Sequence, residues 1–317
     1  MNFLNNLVFK QKLILLVMVP LLATLYFSLN SLNNLTSKQE HLEEIQALLA
    51  LTIANNALVH ELQKERGATA IYIGSKGARF TDELKEQRKL TDIAYSNLKA
   101  KLTDFSIENK KINDIVSKIE NELSKLKGIR VRIDNFTITM SKAISYYTTQ
   151  NHQMLSLTGF FSVISPTETV SDAIAYYALL EAKERAGIER AVASGSFTKG
   201  KFTQESFQKF IALIALQESY LEQFSNKASS ESLNAFKKTL KSNAVVEVSR
   251  MRNIAVSVGQ NGPFNVDAEK WFKDSTARIN TLNDIENLVA DEFHRDINEL
   301  LSKANSDVVS NLIIIIY

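Results

Sequence analysis

Helix breakers are scarce in this sequence: three prolines and ten glycines punctuate 317 residues. Proline removes a backbone donor and glycine costs conformational entropy, so a chain poor in both is free to form long helices. From Ile112 through Ile119, Leu126, Ile133 and Met140 to Tyr147, apolar residues recur at a mean step of about 3.5, the period of a left-handed helical bundle. The pattern predicts an all-α fold, with one helix of more than about 40 residues here.

The length allows a large core. Lys plus Arg number 37 and Asp plus Glu 35, a net charge of +2 that argues against a dominant nucleic-acid surface. Without cysteine there is no thiolate or disulfide chemistry, which fits an oxidising compartment. His41, His60, His152 and His294 share no metal-ligand spacing, and neither metal nor cofactor is expected. No phosphate loop or nucleophile elbow is present, so no enzyme is expected.

Both ends are unusual. Residues 1–12 carry Lys10 and Lys12 and no acid; Leu13–Leu29 is a 17-residue apolar run without a charge, at the lower end of what spans a bilayer. Lysines before the run place the N-terminus in the cytoplasm, and Tyr26 and Phe27 suit the far interface. A cleaved signal peptide is the alternative, against which stand the length of the run and the lack of a clean small-x-small site. The expected layout is 1–12 cytoplasmic, 13–30 transmembrane, 31–305 a periplasmic domain, and 306–317 the start of a second, truncated membrane helix ending Leu312-Ile313-Ile314-Ile315-Ile316-Tyr317. A short apolar tail packed in a bundle is the other reading of that end.

An internal echo organises the middle. Lys64-Glu65-Arg66-Gly67 lies before a Gly74-Ser75-Lys76-Gly77 break, then Phe80-Thr81. Lys183-Glu184-Arg185 echoes Lys64-Glu65-Arg66 and lies before Lys199-Gly200-Lys201-Phe202-Thr203. Two helical hairpins of one design are expected. Arg66 precedes Gly-Ala-Thr-Ala and Arg190 precedes Ala-Val-Ala-Ser-Gly, so each guanidinium sits on a closely packed, poorly solvated face. It needs a carboxylate or a bound anion there, and several arginines together would suit a small planar oxyanion. Interhelical salt bridging with glutamates is the competing reading. Glu65 and Glu189 are no automatic partners, since helix neighbours point about 100° apart.

Leu58-Val59-His60-Glu61-Leu62-Gln63-Lys64-Glu65-Arg66-Gly67-Ala68-Thr69-Ala70 resembles the opening signature of the nitrate- and nitrite-sensing domain family. Phe80, Gln87-Arg88, Thr91-Asp92, Leu180–Ala191, Gly200–Thr203, Trp271-Phe272 and Thr276-Ala277-Arg278-Ile279 continue the likeness, over about residues 45 to 290. The resemblance implies two stacked four-helix-type bundles between two membrane helices, in a homodimeric bacterial receptor, most often a chemotaxis receptor. It also implies nitrate or nitrite held by arginines: Arg66 and Arg190, with Arg250, Arg252 and Arg278 as candidates for the remaining contact. No nucleic-acid partner is expected. The alternatives are a dimerising bundle without a ligand, and the sensor of a diguanylate cyclase or histidine kinase.

Overall fold

The computed structural model describes residues 8–103, 105 and 109–316. Residues 1–7 of the expected cytoplasmic segment, Asp104 at the expected end of the second helix, and Tyr317 lie outside them. The described residues form ten helices and no strand: α1 (Phe9–Gly74), α2 (Thr81–Thr103), α3 (Lys110–Ser124), α4 (Leu126–Asp134), α5 (Met140–Ile164), α6 (Val170–Lys199), α7 (Gln204–Lys227), α8 (Ser230–Thr239), α9 (Asn243–Val258) and α10 (Ala268–Ile316). The chain divides into two compact units, residues 1–47 with 295–317, and residues 48–294.

The first unit pairs the beginning of α1 with the end of α10. Gln46 Nε2 donates to Asn298 Oδ1 at 2.5 Å and Asn311 Nδ2 to Ser31 Oγ at 2.9 Å. Leu42, Ile45, Ile297 and Ala304 are buried. Toward the N-terminus the apolar side chains turn outward instead: Leu16, Val19, Leu22 and Phe27 are all exposed. This part of α1 is long and apolar enough to cross a membrane, with a mean hydropathy of 2.1 over its best window. Pro20 sits inside it without ending the helix.

The second unit is two four-helix bundles built to one plan. In each, a long helix is followed by a second helix, then a column of two short helices, then another long helix. The first bundle is α1, α2, α3 with α4, and α5; the second is α6, α7, α8 with α9, and α10. In the first, Gln87 of α2 bonds Glu61 of α1, Arg130 of α4 bonds Glu65 of α1, and Tyr146 of α5 bonds the Glu122 carbonyl of α3. In the second, Phe197, Phe202, Phe210, Met251, Phe264 and Trp271 close one end as a continuous aromatic core. The bundles meet along α1 and α5 on one side and α6 and α10 on the other. Asn56 of α1 donates to the Tyr176 hydroxyl of α6 at 3.1 Å, and Phe161 of α5 meets Phe293 of α10 with ring centroids 5.2 Å apart.

Several local expectations are corrected. The single long helix expected from Ile112 to Tyr147 is three, α3, α4 and α5. The break after Asp134 contains neither glycine nor proline. Phe136 takes a positive φ of 53° and stacks on Tyr72, and Thr139 caps α5 by accepting from Lys142 N. Packing of that ring against α1 decides the turn, while the apolar period runs through it. Gly159 lies inside α5, where a β-carbon would stand 3.1 Å from the Tyr177 ring. It serves a close helix crossing. Pro166 precedes α6 by a turn, and Thr81 donates its hydroxyl to the Gly77 carbonyl. Thr203 does cap α7, in a capping box with Ser206.

Candidate functional site

Where the two bundles meet, two arginines are buried beside each other's helix. Arg66 on α1 is 0% exposed and Arg190 on α6 1%. Each reaches across to a glycine. A β-carbon on Gly187 of α6 would lie 2.7 Å from Nη2 of Arg66, and one on Gly67 of α1 would lie 2.8 Å from Nη2 of Arg190. Only a residue without a side chain leaves room for a guanidinium so close to the backbone.

Their partners differ. Arg66 forms a fork onto Glu184, with Nη1 to Oε1 at 2.5 Å and Nη2 to Oε2 at 3.3 Å; Nη1 also donates to Thr148 Oγ1 at 3.0 Å. Arg190 has no carboxylate within ion-pair distance among the described residues. Its Nη1 donates to Thr276 Oγ1 at 2.8 Å and its Nη2 to the Gln63 carbonyl at 3.0 Å, over the ring of Phe272 at 4.9 Å. The expected choice between two glutamate-paired arginines and two free ones therefore resolves as one of each. Nε of Arg66 and Nε of Arg190 both lack a hydrogen-bond partner among the described residues.

A buried, unpaired guanidinium is costly, since burial penalises charge and nothing opposite in sign repays it. Burial first, and then the charge of Arg66, push the Arg190 guanidinium down from its usual strongly basic range to about 9; Glu184 opposes the shift. The surroundings are net positive. Lys183 is neutralised by Glu286, to which it bonds, and burial raises that carboxyl against the pull of Lys183. His60 is driven down to about 2 by burial, then by Lys183, Lys64 and Arg190, and so stays neutral. Two guanidiniums face one carboxylate, with two N–H groups to spare: an arrangement that can take up one small anion.

A second layer holds this layer in place. Glu65, next to Arg66, points into the first bundle, where Arg130 of α4 binds both its oxygens at 2.8 Å, the Tyr147 hydroxyl donates at 2.8 Å and Arg88 of α2 stands 3.7 Å away. Burial, with the Glu65 charge beside it, raises the Tyr147 phenol well above its usual range. Glu189, next to Arg190, points into the second bundle, where Arg252 of α9 forks onto it, Gln217 of α7 donates at 2.8 Å and Arg278 of α10 stands 3.9 Å away. The internal echo is therefore real, but it pairs Glu65-Arg66 with Glu189-Arg190 rather than with Lys183-Glu184-Arg185. Of the five expected arginines, the structure brings Arg66 and Arg190 together. Arg252 and Arg278 form the Glu189 lock, and Arg250 lies at the surface on Glu247. Sequence reasoning missed Glu184, Lys183 and Thr276, whose only signal was their place inside the quoted motifs, and Arg130, which lies in none of them.

Those motifs now have physical content. Trp271 donates its indole N–H to the Arg190 carbonyl at 3.1 Å, Phe272 lies under the guanidinium, Thr276 accepts from it, and Arg278 donates to Gln217 at 2.9 Å. Phe80 packs edge-on against Phe272. Gln87, Arg88 and Asp92 hold Glu61, Asp134 and Arg130.

Fold and site together define a class: an all-helical double bundle with two buried arginines at the bundle junction, as in a sensory domain. The chain belongs to the nitrate and nitrite sensing family, whose model matches residues 57–294. A curated relative, the nitrate regulatory protein of Klebsiella oxytoca, is 25% identical over 257 residues, 80% of this chain and 64% of that protein. This chain thus matches less than two thirds of the relative's length. The solved structure of the NasR transcription antiterminator superposes with a TM-score of 0.77 at 23% identity, covering 84% of this chain and 72% of that one. At that identity the likeness speaks for the fold.

Proposed function

We propose that this chain is the sensing region of a bacterial transmembrane receptor that binds nitrate or nitrite in the periplasm through Arg66 and Arg190. One observation carries the reading: Arg190 is a fully buried cation with no carboxylate partner, facing a second arginine that has only one. A planar monoanion accepting in-plane hydrogen bonds from both Nε edges would supply the missing charge and occupy both spare donors. Family membership supports the choice of nitrate or nitrite.

The membrane location rests on the exposed apolar stretch of α1, which an aqueous setting would leave as a large unsatisfied patch. The named relatives are by title a nitrate regulatory protein and a transcription antiterminator, and a soluble regulator is the second reading. Membrane flotation of the expressed chain separates the two. In the receptor reading, anion binding draws α1 and α6 together at the bundle junction. The shift passes along α1 and α10 to the membrane, in a dimer, toward a chemotaxis output. A ligand moves such an equilibrium only by its differential affinity for the two arrangements.

The test is calorimetric titration of the detergent-solubilised full chain with nitrate, nitrite, chloride and sulfate. Saturable binding of nitrate or nitrite, absent in Arg190→Ala, is the expected result. No heat with any anion from a folded chain would leave the arginines as structural elements.

A further inference from the structure

Glu184 receives four donated hydrogen bonds from three side chains. Arg66 holds it with both terminal nitrogens, and its Oε2 also accepts from Gln63 Nε2 at 2.8 Å and Asn151 Nδ2 at 3.2 Å. It is 2% exposed. A carboxylate gripped edge-on by a guanidinium has the shape and charge of one O–N–O edge of nitrate or nitrite. Gln63 ties this grip to the other arginine, because its backbone carbonyl accepts from Arg190.

We propose that Glu184 is a built-in oxyanion that neutralises one charge of the arginine pair, so that it sets the affinity of the site and confines it to monoanions. The proposal rests on reading Arg66 and Arg190 as the anion site. With Glu184 in place, the two guanidiniums carry a net charge of +1, matched by one monovalent anion. A divalent anion would bring a surplus negative charge into a buried locus, which is costly at low dielectric. Removing the Glu184 charge raises the locus to +2. Nitrate then binds more tightly, and sulfate becomes admissible.

Glu184→Gln suits the test. Oε1 of Gln63 has no partner, so that amide can turn to accept from the new side-chain N–H₂, while Arg66 keeps a carbonyl acceptor. Glu184→Ala tests the seat itself: with the carboxylate deleted, formate should take its place on Arg66.

The experiment uses the full chain in detergent at constant ionic strength. Calorimetry with sodium nitrate and sodium sulfate is run on wild type and Glu184→Gln, and thermal unfolding with and without sodium formate on wild type and Glu184→Ala. The expected results are nitrate binding at least tenfold tighter in Glu184→Gln, sulfate binding gained only there, and a lowered melting temperature in Glu184→Ala that formate restores. Unchanged or weaker nitrate binding in Glu184→Gln, sulfate still refused, or a Glu184→Ala chain indifferent to formate overturns the proposal. If wild type ignores nitrate, the anion-sensing reading fails, and the formate result alone then decides whether Glu184 occupies an oxyanion seat. The same formate result decides if Glu184→Gln does not fold.

Discussion

Gly67 and Arg190 touch across the junction of the two bundles: a β-carbon on the glycine would stand 2.8 Å from Nη2 of the arginine. Gly187 and Arg66 make the reciprocal contact at 2.7 Å. These glycines lie within helices, where alanine gains about 1 kcal/mol in propensity. What a methyl group displaces is the end of an arginine side chain, and at Gly67 the edge of the Phe272 ring, 3.3 Å away, must also yield. Gly67→Ala and Gly187→Ala are therefore expected to leave the melting temperature within a few degrees of wild type while weakening nitrate binding at least tenfold. Thermal unfolding and titration on the same sample check this; intact binding would show that the guanidiniums need not lie on the opposing backbone.

The two arginines should differ when replaced by methionine. Arg66→Met leaves the buried Glu184 carboxylate with amide partners alone, and the loss of one member of a buried pair costs about 3–5 kcal/mol. Arg190→Met removes a buried charge that has no carboxylate, so it should cost much less, or stabilise the anion-free chain. Both should abolish the stabilisation conferred by nitrate. Denaturant unfolding with and without nitrate measures both quantities.

The locks behind the site should act on stability rather than on selectivity. Glu65→Ala leaves Arg130 with Asp92 alone and removes the acceptor of Tyr147, and Glu189→Ala leaves Arg252 with Gln217 alone and removes an acceptor of Gln217. Each is expected to cost about 3–5 kcal/mol by stranding buried donors and cations. Neither loss should be restored by formate. Formate rescue of Glu65→Ala equal to that of Glu184→Ala would mean that the first bundle also holds an oxyanion seat.

Nitrate affinity should depend on pH through Arg190. Its guanidinium is lowered to about 9, and only the charged form attracts an anion. Bound anion favours the charged form and raises that value, so affinity stays level from about pH 6 to 8 and falls as pH rises through 9, by up to tenfold per unit. The effect on the anion-free fold has the opposite sign. Above about 9 the unfolded chain still holds the proton that the folded chain has lost, so the destabilising share of this group fades as pH rises. Titrations at half-unit steps from pH 7 to 10 would expose a flat profile, which contradicts the assignment.

Much of the architecture was legible along the chain. The scarcity of breakers and the 3.5-residue period specified long helices, because burial of one helix face is a local, periodic property. The small residues after Arg66 and Arg190 announced close helix contact. Leu13–Leu29 announced a helix suited to lipid by composition alone. The turn at Phe136 was not legible, since its stacking on Tyr72 belongs to a helix more than sixty residues away.

The partner of each charge could not be read either. Lys183 and Glu184 are consecutive, yet they bond Glu286 of α10 and Arg66 of α1 respectively. Consecutive residues on a helix diverge by about 100°, so the two serve different neighbours, and only the packing of α6 between α1 and α10 chooses them. By itself the sequence determined that these helices form, which faces they bury, and that arginines lie on those faces. The tertiary structure decided that Arg66 meets a carboxylate and Arg190 meets none. That difference arises because the pairing of buried charges depends on which side chains the docked helices bring within a few ångströms.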